Sequence, residues 1–186
     1  MRGGSDLVTL EPLLDAVREG VEHAEWKLSG LQKTTSQEFE GRWAGESTRS
    51  AYLFFHRDDL PGCVSVEAFL DETTRGLRGN LSLVLDGPTL GVLGGVPAVL
   101  NRVLRAASET LPEGYRTPVA VRVGVPEQDV PADQADVQVR IKLLIPMAAV
   151  EAGGSAITAL ASGAVRAFER LLERPEVAEL LPPVIE

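Results

Sequence analysis

From Glu25 to Asp86 the apolar residues return at every second position, a period that suits pleated strands and no helix. The stretch QEFEGRW sets Phe39 and Trp43 on one face against Glu38, Glu40 and Arg42 on the other. CVSVEAFLD aligns Val64, Val66, Ala68 and Leu70. Five strands are expected, near 26–33, 37–44, 49–56, 63–71 and 77–86, divided by turn compositions such as RDDLPG and ETTRG. Such short links favour an antiparallel meander over residues 25–86. Strand 49–56 is unusual: Ala51, Leu53 and Phe55 share one face, yet Tyr52 and Phe54 load the other with aromatic surface.

Helical spacing brackets this meander. Residues 9–24 repeat Leu10, Leu13, Leu14, Val17 and Val21 behind a Thr9 cap, and 96–111 repeat Val96, Val99, Leu100, Val103 and Leu104. A strand pair follows over 117–145. VAVRVGV places Val119, Val121, Val123 and Val125 on one face, and DVQVRIKLLI does the same with Val137, Val139, Ile141 and Leu143. C-terminal helices occupy 147–181, the main one capped by Ser155, and residues 1–8 form a flexible lead. One apolar stripe per helix and one apolar face per strand predict an α+β fold. Three main helices pack on one face of a two-layer, mostly antiparallel sheet of about seven strands.

The 186 residues suit a single domain, 1–186, with room for a sizeable core. A net charge of −9 sets the average field against phosphate backbones, which makes nucleic acid an unfavoured partner. Cys63 has no second cysteine to bridge, and with only His23 and His56 beside it there is no zinc ligand set, so neither metal nor cofactor is expected. The start lacks a basic segment followed by an apolar core, and no run approaches a membrane span. A soluble cytoplasmic protein is expected.

Two stretches invite a catalytic reading. Gly87, Gly91, Gly94 and Gly95 lie between a strand and a helix, but their spacing matches neither a dinucleotide fingerprint nor a Walker loop, and Pro97 removes an amide where phosphate would sit. That stretch reads as a structural turn. HRDD, residues 56–59, sets an imidazole beside two carboxylates, but Pro61-Gly62 closes it as a polar hairpin turn. Cys63, at a strand start, reads as a small buried hydrophobe. No catalytic residue is assigned, and the chain is expected not to be an enzyme.

The order helix, strand meander, helix, two strands, helix over residues 10–172 resembles the arrangement of type III secretion chaperones and their bacterial relatives, small acidic dimers that hold partner segments. That family has three strands before the middle helix where five are counted here. The resemblance implies a chaperone-like protein-binding module, homodimeric or engaged with another protein; the outward parity of Tyr52 and Phe54 on strand 49–56, apart from the resemblance, makes these two the expected interface. Two alternatives stand beside it: a carrier of an apolar small molecule between the sheet and the C-terminal helix, and an enzyme whose site assembles only in the fold.

Overall fold

The structure, a computed structural model, describes residues 9–35, 38–39, 42–43, 47–87, 95–115, 118–125, 127–131 and 135–184. Among them are five α-helices and eight strands in an α+β arrangement. The elements are α1 (Leu10–Glu22), β1 (Lys27–Thr35), β2 (Glu38–Phe39), β3 (Arg42–Trp43), β4 (Ser47–His56), β5 (Val64–Thr73), β6 (Gly76–Gly87), α2 (Gly95–Thr110), β7 (Ala120–Val123), β8 (Val137–Leu144), α3 (Met147–Ala152), α4 (Gly154–Leu172) and α5 (Pro175–Ala178). Six strands form one antiparallel sheet in the order β1-β4-β5-β6-β8-β7, so the meander is real and β7 lies outside β8.

The expected strand 37–44 is instead two two-residue strands, β2 and β3, that pair with each other apart from the main sheet. The sequence places Gly41, a residue type that weakens strand interiors, between them. Four long strands therefore precede α2 in the main sheet, where five strands were expected and the resembled family has three. The side chains of Phe39, Trp43, Glu38, Glu40 and Arg42 lie outside the described residues, as do the lead 1–8 and the glycine turn 88–94.

Alternation holds along the long strands. Ala51, Leu53, Phe55, Val66, Leu81, Leu83 and Val139 are fully buried on the helix side. The facing layer is led by α1 and α4, which run against each other through small residues. A Cβ on Gly20 would stand 2.4 Å from the Thr158 carbonyl oxygen and 2.7 Å from Ala161 Cβ, so only glycine permits this approach. Thr158 Oγ1 also donates to the Ala16 carbonyl at 3.1 Å.

Four expectations change. Thr9 sits at the α1 N-cap but makes no side-chain cap. The Leu10 N–H donates instead to Glu72 Oε2 of β5 at 3.2 Å, and Arg49 Nη2 donates to the same oxygen at 2.6 Å. Ser155 does not cap the C-terminal helix, because Gly153 at φ 93° stops α3, and α4 begins at once with Gly154. Leu104 is exposed and Leu100 half-buried, since α2 packs through Val99, Val103 and Ala106 against α4 and α5 rather than broadly on the sheet. Most consequential, Val121 and Val123 of β7 are exposed. The burial expected of that strand fails because the helix layer does not cover the sheet's last strand.

Gly20→Ala should lower the thermal midpoint by the equivalent of about 1–3 kcal/mol, the usual cost of overpacking. Gly62→Ala, where an added Cβ meets open space, should leave it within ~0.5 kcal/mol. Equal midpoints in calorimetry would contradict the close helix crossing.

Candidate functional site

The face of the sheet turned away from the helices carries the residues that packing does not consume. Cross-strand register sets Gln32, Tyr52, Phe69, Asn80 and Leu144 in one row across five strands. Gly30, Phe54, Glu67, Ser82 and Lys142 form the next row. Tyr52 is 41% exposed and Leu144 59%. The Tyr52 and Phe69 rings meet with centroids 4.7 Å apart at 39°, a tilted geometry suited to aromatic quadrupoles. Phe54 lies over Gly30: a Cβ there would stand 3.3 Å from its ring, so the glycine is the seat of the aromatic.

Small residues make the floor. Asn80, Ser82 and Val84 of β6 point outward yet are buried; Phe69 and Leu144 flank Asn80, Glu67 and Lys142 flank Ser82, and Arg140 lies opposite Val84. Arg140 Nη1 of β8 donates to Glu67 Oε2 of β5 at 2.6 Å, an ion pair that crosses over the intervening β6. The result is a concavity of about 730 Å³ lined by Tyr52, Phe54, Phe69, Glu67, Asn80 and Arg140. Its far end is held by Asp71, fully buried, which accepts from Arg78 Nε at 2.7 Å and from Ser50 Oγ at 2.8 Å.

Tyr52 and Phe54 thus stand together on the outer face, as their parity on β4 requires, and Phe69 completes the cluster. Phe69 was missed although its signal was present: in VEAFL it occupies the position opposite in parity to the buried Ala68 and Leu70.

HRDD is dispersed into structural contacts. Ser29 Oγ donates to the Phe54 carbonyl at 3.1 Å and lies 2.7 Å from His56 Nδ1. Asp58 pairs with Lys27. Arg57 grips Asp59 through Nε and Nη2 at 2.7 and 2.8 Å. Its Nη1 meets Glu169 Oε1 at 2.6 Å, an oxygen that also accepts the Trp26 indole N–H at 3.0 Å. The bond from Arg57 holds the Asp59 carboxyl below its ordinary range. These groups tie the β4–β5 turn to α4.

Among the described residues no cluster of three or more His, Cys, Asp or Glu is placed to hold a metal, and no helix is long and apolar enough to cross a membrane. Comparisons with protein-family models, curated proteins and solved structures find no match to this chain.

Cys63 is half-buried, and burial pushes its thiol up from the usual range, which suppresses the thiolate at neutral pH. A maleimide or disulfide reagent should therefore label native protein at pH 7 more slowly than urea-unfolded protein. Equal rates would show an open, reactive cysteine.

Proposed function

We propose that this protein is a non-enzymatic, chaperone-like binding module that holds a segment of a partner protein on the open face of its sheet. The observation that carries this reading is the Tyr52, Phe54 and Phe69 cluster, aromatic surface standing over a small-residue floor on the face of the sheet turned away from the described helices. Aromatic anchors in a concavity with a polar rim are how protein interfaces concentrate their affinity. The net charge of −9 steers cationic partners toward the chain, so the expected ligand is a basic segment with aliphatic or aromatic anchors. A single cysteine and this acidity suit a reducing cytoplasm.

The interior supports the same choice. A carrier of an apolar ligand needs room between sheet and α4, and Phe55, Leu81, Leu83, Leu85 and Phe168 fill that space as fully buried side chains. The small residues of α4 that suggested a cavity instead lie against α1, as the Gly20 contact shows.

Peptides selected by display on the wild-type protein should be enriched in basic and apolar residues. Measured by fluorescence anisotropy, they should bind the Tyr52→Ser/Phe54→Ser double variant at least about tenfold more weakly, since each ring contributes more than ~1 kcal/mol at an interface. Both positions are outward, so circular dichroism of the variant should match wild type. Peptides that bind both proteins equally would place the site elsewhere.

A further inference from the structure

On β7 the residue pattern and the packing disagree. Val119, Val121, Val123 and Val125 alternate as a face meant for burial does. Val121 is nevertheless 37% exposed, Val123 48% and Val125 96%. Register sets Val121 opposite Val139 and Val123 opposite Val137, two fully buried residues of β8. The core side of the sheet therefore continues onto β7, with its cover thinning from Val121 to Val125.

Among the described residues β7 pairs with β8 alone, so its other side carries no partner strand. Gly124 donates its N–H to the Asp136 carbonyl at 2.8 Å. In an antiparallel ladder successive residues turn their polar backbone groups to opposite neighbours, so Ala120, Arg122 and Gly124 face β8. Val121 and Val123 then direct N–H and C=O away from the sheet. An edge with apolar side chains and unpaired backbone groups is a template for another strand.

We propose that a second copy of this chain pairs with β7 antiparallel, about a two-fold axis normal to the sheet, so that two six-stranded sheets become one. Such an axis keeps the core side of both copies on one side, so valine meets valine. Charge selects the register. Centring on Arg122 would set that residue directly opposite its own mate, a destabilising like-charge pair. Centring on Val121 leaves Val125 uncovered. Centring on Val123 sets Val121 against Val125 of the second copy and Arg122 against Gly124, covering all three open valines. This rim lies beyond β5, β6 and β8 from Tyr52, so self-pairing here leaves the aromatic face free for the partner proposed above.

Sedimentation equilibrium over a concentration series tests the pairing. Val123→Lys sets two ammonium groups together at the axis. Val123→Pro removes a donor to the second copy but spares the β7–β8 ladder, because that N–H does not point to β8. The wild type should dimerise, and each variant should raise the dissociation constant roughly tenfold or more with an unchanged circular dichroism spectrum. The Tyr52→Ser/Phe54→Ser variant should dimerise like the wild type. Hydrogen exchange on the unmutated chain gives a second readout: the Val121 and Val123 amides should exchange more slowly as concentration rises. A monomeric wild type, exchange at these amides that ignores concentration, or a dimer lost only in the aromatic variant overturns the proposal. Peptide binding is scored separately, so the edge and the aromatic face fail independently.

Discussion

The close crossing of α1 and α4 at Gly20 governs how the sheet is used. Because the two helices nearly touch, they form one layer over the middle strands, and that layer sets the parity of every long strand. A slip of one residue on β4 would drive Tyr52 and Phe54 inward and expose Leu53 and Phe55, so the register is strongly enforced. The same layer is too narrow to reach β7. One constraint thus leaves two exposed regions of different chemistry, an aromatic concavity on the far face and a valine edge at the rim.

Much of this was legible in the residues because period-two alternation and short turns act locally. The two-faced character of β4 could be read directly, since aromatics at both parities in SAYLFF cannot all enter one core. The extent of cover was not legible. VAVRVGV has the same alternation as the buried DVQVRIKLLI, and what separates them is their place in the sheet order, which depends on β8 inserting between β6 and β7. Asp71 shows the same limit: a carboxylate on a strand reads as solvated, and the contacts from Ser50 and Arg78 that accompany its burial come from other strands.

The polar groups around the aromatic cluster act as supports. The Glu67–Arg140 pair spans β6 and fixes the height of two neighbouring strands at once, and the Asp71 contacts do the same at the far end. Rings standing on a braced sheet lose little side-chain freedom when a partner arrives, which favours binding without requiring a large area. A sheet shared by two copies about an axis normal to it would place both clusters on one side. Two anchors on a single partner chain would then engage with the effective-concentration advantage of linked sites.

The Glu72 cap carries a consequence for how the chain is made. The α1 N-terminus is satisfied by a carboxylate 62 positions further along, and the Ala16 carbonyl contact is made by Thr158, 142 positions away. During translation α1 leaves the ribosome long before the strand that caps it and the helix that covers it. The sheet side of α1 can be covered once β4 and β5 are present, whereas its Gly20 side waits until α4 comes into reach. A chain whose synthesis pauses before residue 154 can seat α1 on β1, β4 and β5 but leaves the Gly20 side of that helix open.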